Sequence, residues 1–291
     1  MPELRRRDKT LEQGTVLVSA MGQKIILRGL QVSDFIHPKE LAARDSLVNT
    51  PAGKKLVKTF GDLNLKLYKT ITEGTYIQLK PQTAPSLFRI LRNVCAILDY
   101  REMIPEVYVY HSMSHMVRPC SADSIYIVMA DYVLQTYDED MLYYILGNAI
   151  AMILAGHVEM TTAASYMGSS KLLLLPQLEF KKYLHLADIT SDRGGLLACQ
   201  SFAAAIRCHL FELGYPPSES RKLFTTDEEA VLFVRRYLKE AEAGSKKNNL
   251  VTDLAAKWIK ANYIEAPGEE MMKELLEWYI REYPDLLQKY R

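Results

Sequence analysis

Cysteine is scarce: Cys95, Cys120, Cys199 and Cys208 are the four in 291 residues, and no two form a CxxC pair. That excludes a disulfide framework or a zinc-finger spacing and leads us to expect reduced core thiols in a cytoplasmic protein. A charge excess is lacking too. Lys plus Arg is 36 against 35 Asp plus Glu, a net +1. The basic surplus of a nucleic-acid binder is missing, and nothing draws the chain to an acidic membrane surface. No apolar run is long enough for a membrane span. The longest, Met141 to Ala155, is interrupted by Gly147 and Asn148 and preceded by Asp138, Glu139 and Asp140. It falls short of the roughly 20 residues a spanning helix needs. The basic N-terminus has no apolar stretch and cleavage site after it, so no secretory signal is expected. There is no internal repeat and no low-complexity tract. What is present is ordinary globular usage, 48% apolar and 24% charged, which excludes disordered and collagen-like chains.

The periodicities predict an α+β chain, mostly helical, with a small sheet from its first half. Thr15–Val18 and Lys24–Arg28 are β-rich runs around Gly22 and predict a hairpin. A helix follows Pro38, and another is expected from Lys54 to Tyr68. Thr75–Leu79 alternates as a strand, and Ala84 to Tyr100 carries apolar residues at helical spacing. Glu106–Tyr110 and Ser124–Met129 predict two central strands, joined by a polar loop holding His111 and His115. A long helix starts at Asp138, an N-cap followed by acids, and is expected to run past His157. Another spans Gln177 to Leu213 and stops at Gly214. Helices are also expected over 227–243, 250–263 and 269–290. The divisions expected are a hairpin extension over 1–30, a main domain over 31–215 and a helical extension over 216–291.

Two stretches carry the informative pattern. The first is Tyr144-Ile-Leu-Gly-Asn-Ala-Ile-Ala-Met-Ile-Leu-Ala-Gly-His157. The second is Leu186-Ala-Asp-Ile-Thr-Ser-Asp-Arg-Gly-Gly-Leu-Leu-Ala198. In order and spacing they resemble the HtpX-type and CaaX-prenyl-protease-type zinc metallopeptidases, the forty-eighth metallopeptidase family, in its soluble bacterial branch. The upstream stretches Asp34–Pro38, Pro105–Val109 and Ser124–Val128 resemble that branch more loosely. The resemblance spans about residues 30 to 215. It implies a gluzincin-like fold with two motif helices. One helix of such enzymes carries HExxH, whose histidines four residues apart share a face and bind zinc while the glutamate serves as base. The other carries a third acidic ligand and, one turn on, an acid that orients a ligand histidine.

This chain departs from that pattern at every reactive position. Asn148 and Met152 stand where the histidines would be, Ala149 where the base would be, and Asp188 where the third ligand would be. A neutral amide and a thioether suit Zn²⁺ poorly, and alanine takes no proton. The catalytic and metal sets are therefore read as empty, with no cofactor; zinc enters only under an alternative reading. Asp192, Arg193 and His157 are read as supporting or structural. Asp192 with Arg193 is expected to hold the motif helices together. Asn148 is expected to donate to Asp188, and His157, nine positions after Asn148, to point away from the Asn148 face. A relocated metal site using His111, His115 or His185 stays open. The function expected is a catalytically inactive metallopeptidase-like protein whose cleft binds a peptide or protein. The pairing edge strand is expected at Ser124, Ile125, Tyr126, Ile127 and Val128. An active metalloendopeptidase with an unusual site and a structural subunit of an assembly are the alternatives. Oligomeric state is open.

Overall fold

The computed structural model describes residues 16–19, 22–49, 65–113, 116–160, 174–245 and 268–291. Strands β1 (Val16–Ser19) and β2 (Gly22–Ile25) form an antiparallel hairpin, and a 3₁₀ turn (Val32–Asp34) leads to α1 (Glu40–Asn49). Next come α2 (Leu65–Thr75), β3 (Ile77–Leu79) and α3 (Pro85–Ile97). The sheet continues with β4 (Glu106–Tyr110), β5 (Val117–Ser121) and β6 (Ile125–Ala130). The helices α4 (Asp131–Thr136), α5 (Glu139–Leu154), α6 (Leu174–Cys199) and α7 (Phe202–Glu212) follow. The last are α8 (Pro217–Leu223), α9 (Asp227–Ser245), α10 (Gly268–Arg281) and α11 (Tyr283–Tyr290). The chain is α+β and mostly helical, and no described helix is long and apolar enough to cross a membrane.

The four-stranded sheet has the order β3-β4-β6-β5. Strands β4 and β6 are parallel, while β3 and β5 flank them antiparallel. Alternate side chains go to opposite faces. Val107, Ile127 and Met129 join the main core, and Tyr108, Tyr126 and Val128 form a small aromatic cluster on the other face. The main core runs from Leu27 through Tyr144 to Leu275 and Trp278, so hairpin, central helices and C-terminal helices share one interior. A second cluster seats Ala43 and Leu47 of α1 on Tyr183, Leu186 and Ala187 of α6.

Several sequence expectations shift. The second hairpin strand is Gly22–Ile25 rather than 24–28, and Thr75 ends a helix before a strand that begins at Ile77. The polar loop between β4 and β6 contains β5, an edge strand with Pro119, tolerable there because an edge strand needs ladder bonds on one side only. The helix expected past His157 ends at Leu154, with Gly156 at φ +73 turning the chain. The single helix expected over 177–213 is two, because Gln200 adopts φ +49 and Ser201 caps α7 through a bond from the Ala204 amide. Of the helix expected from Lys54 to Tyr68, residues 65–68 open α2, while 54–64 and the helix expected over 250–263 lie outside the described residues.

Helices α5 and α6 run antiparallel and meet through small residues. A Cβ added at Gly147 would lie 2.3 Å from the Ala198 Cβ, and one at Gly194 would lie 2.1 Å from the Ala151 Cβ. Each side needs the other's missing or minimal side chain. Gly194→Ala is expected to lower stability by about 1–3 kcal/mol in urea unfolding, since overpacking outweighs the gain in helix propensity. Adding Ala151→Gly to that variant should recover part of the loss. A Gly194→Ala protein as stable as the parent would show that the crossing is not this tight.

Candidate functional site

Asn148 leaves α5 on the side facing α6, one turn before Met152. Its Nδ2 donates to Asp192 Oδ1 at 2.8 Å. The partner is thus Asp192, not Asp188 as the sequence suggested. Asp188 and Asp192 are one turn apart on α6, and the glycine-lined crossing sets Asn148 level with the second of them. Asp188 is half-buried.

Asp192 is buried and carries a second contact that the sequence did not reveal. Its Oδ2 lies 3.2 Å from His209 Nε2, on α7. At that separation the imidazolium and the carboxylate form a buried ion pair. The same Nε2 lies 2.9 Å from the Tyr144 hydroxyl of α5, and His209 Nδ1 lies 3.5 Å from Glu212 Oε2. His209 is 3% exposed. Burial alone pushes its pKa down, but Asp192 and Glu212 outweigh burial and raise it to about 10. Burial and the nearby Asp192 hold the Tyr144 hydroxyl well above its ordinary range, so it stays neutral. Asn148, Asp192, His209 and Tyr144 therefore form one node linking three helices, with the imidazolium as its cation.

Arg193 faces elsewhere. Successive helical residues diverge by about 100°, and its guanidinium reaches the carbonyls of Ile36 at 3.3 Å and Phe35 at 3.5 Å and sits 5.4 Å from the Trp278 ring centre. It ties the segment before α1 and α10 to α6 rather than pairing with Asp192. His157, released from the helix by Gly156, places Nε2 2.7 Å from the buried Glu40 Oε1. The Thr190 hydroxyl donates to the other Glu40 oxygen and accepts from the His37 amide at 2.9 Å. His157 reaches Glu40 by way of a turn rather than from the far face of a helix. His37 is pushed down to about 4, chiefly by burial and then by Arg193.

Ala149 is fully buried in the main core, where a carboxylate base would be desolvated and out of reach of bulk water. The amide of Asn148 is committed to Asp192, Met152 offers a thioether, and an imidazolium already neutralises Asp192. These residues do not fit a catalytic zinc ion. The strand Ser124–Val128 is not an edge. Tyr126, Ile127 and Val128 belong to β6, which is paired on both sides, to β4 and to β5. In the four-stranded sheet the outer strands are β3 and β5. His111 lies 2.8 Å from Asp131, His185 lies 3.4 Å from Glu270, and His115 lies outside the described residues.

Compared with known proteins, the chain matches no family model, no curated protein and no solved structure.

The node predicts how stability responds to mutation and pH. Asp192→Ala strands a buried imidazolium and is expected to cost about 3–5 kcal/mol, and Asn148→Ala about 1.5–3 kcal/mol. The folded pKa of His209 lies above its ordinary 6.5, so its contribution is complete below 6.5 and declines as pH rises through about 10. Denaturant unfolding between pH 6 and 10 should show that loss in the parent and a smaller one in His209→Gln. Equal slopes in the two proteins would mean that His209 is neutral in the fold.

Proposed function

We propose that this chain is a catalytically inactive relative of the HtpX-type zinc metallopeptidases, retaining the two motif helices as a scaffold that binds a peptide or protein. The observation that carries it is the 2.8 Å bond from Asn148 to Asp192. In the resembled enzymes the second acid of α6 orients a ligand histidine. Here the same two positions still meet across α5 and α6, but through an amide that binds no metal. The geometric frame supports the kinship, and the substituted side chains argue against hydrolysis.

Hydrolysis by such a site needs a polarised water, a base and a counter-charge for the oxyanion. Asn148 and Met152 supply no metal for the first and third, and Ala149 supplies no base. Of the outer strands of the four-stranded sheet, β5 is longer than β3 and packs against α5.

The full chain, incubated with a quenched peptide library, is expected to cleave nothing, with or without chelator. Fluorescence anisotropy should show saturable binding of some extended peptides from the same library. Chelator-sensitive turnover that disappears in Asp188→Ala would establish an active metalloendopeptidase instead. Absence of both turnover and binding would leave a structural subunit.

A further inference from the structure

Helix α9 turns Ala230 and Val234 into the core, both fully buried. Leu232 stands about 200° around the helix axis from each of them, on the side facing solvent, and is 61% exposed. A surface helix normally keeps that side polar. Beside Leu232 a groove of about 310 Å³ opens between α9 and α10, lined by Glu228, Val231, Leu232 and Tyr279. The α10 wall of the groove is fixed in place. The Tyr279 ring stacks on Phe202 with centres 4.4 Å apart, and its hydroxyl donates to Asp227 at 3.3 Å.

The charges on this face are arranged about the same point. Glu228, Val231, Leu232 and Arg235 fall on one helical stripe. Glu228 lies one turn before Leu232 and Arg235 one turn after it, and both are exposed. When two such helices pack antiparallel, residues equally far from the crossing point, on opposite sides of it, lie level. A crossing between Val231 and Leu232 sets Glu228 of one copy level with Arg235 of the other, at both ends of the contact. Leu232 of each copy then faces the groove of the other.

We infer that α9 is the two-fold contact of a homodimer. Leu232 of each copy enters the groove beside Tyr279 of the other, and Glu228 pairs with Arg235 across the axis. An isologous patch must be complementary to itself. This one is: its order of acid, two apolar residues and base becomes its own complement when reversed. That charge complementarity points to a second copy of this chain as the occupant. A contact built on one helix pair falls at the small end of specific interfaces, so the dimer is weak and forms at micromolar concentration. The surface shares no residue with the Asn148–Asp192–His209 node and stands whether or not the scaffold reading holds.

The test is sedimentation velocity of the full chain over a micromolar concentration series in low salt. A reversible monomer–dimer equilibrium is expected. Leu232→Asp should weaken dimerisation at least about tenfold, because it brings two carboxylates together near the axis. Glu228→Arg and Arg235→Glu should each weaken it about three- to tenfold by setting like charges level, and the variant carrying both exchanges should regain the parental equilibrium. Met103→Asp, at a methionine that is 76% exposed elsewhere, should change nothing. Melting temperatures should stay close to the parent's, because the substituted side chains are on the surface. A chain that remains monomeric throughout, a dimer indifferent to Leu232→Asp, or a double exchange that fails to restore what the single exchanges remove would overturn the proposal.

Discussion

Two antiparallel helices that touch through glycine and alanine decide where the other groups of this protein sit. Gly147 accommodates Ala198, and Gly194 accommodates Ala151. Ordinary helix pairs stand 8–10 Å apart because side chains separate them; here the separators are missing, and short side chains on the two helices meet directly. Asn148 reaches Asp192 because of this closeness. A longer residue at Gly147 or Gly194 would part the helices and break that bond together with the core beneath it.

A buried carboxylate at such a crossing needs a positive partner. In the resembled peptidases a metal and its imidazoles stand close by. The geometry here supplies His209 from a third helix, with Tyr144 and Asn148 completing the polar shell. The outer parts of the chain are anchored by similar buried polar contacts. Lys24 of the hairpin donates to Asp140 at 2.7 Å and to the Cys199 carbonyl at the end of α6, where a cation also suits the helix dipole. The Gln200 side chain meets both backbone groups of Ile25, at 2.8 and 2.7 Å. Glu40 binds His157 and Thr190 at the other end of the crossing. The protein is therefore a glycine-tight helix pair with ionic clasps around it.

The helix and strand types were legible where periodicity was strong. Strand Glu106–Tyr110 and the N-cap at Asp138 follow from local pattern alone. The node was only half legible. Asn148 and Asp192 belong to the recognised motifs, but His209 did not, because an unbroken helix over 177–213 would put it about 25 Å from Asp192 along the axis. The reversal at Gln200 depends on a left-handed backbone at a non-glycine residue, which no residue preference announces. The pairing of Asn148 with Asp192 rather than Asp188 depends on helix register, which the glycine contacts set. Strand β5 was hidden by Arg118 and Pro119, residues that suit an edge but do not alternate. Without β5, β6 looked like an edge.

The proposal that this chain is an inactive relative of the zinc peptidases requires that α5 and α6 hold no hydrolytic metal. Zinc stoichiometry tests it most directly: the full chain is saturated with Zn²⁺, exhaustively dialysed and measured for bound metal, beside Asp188→Ala treated identically. Far less than one zinc per chain, equal in the two proteins, is the predicted result. One zinc per chain, lost in Asp188→Ala, would contradict it.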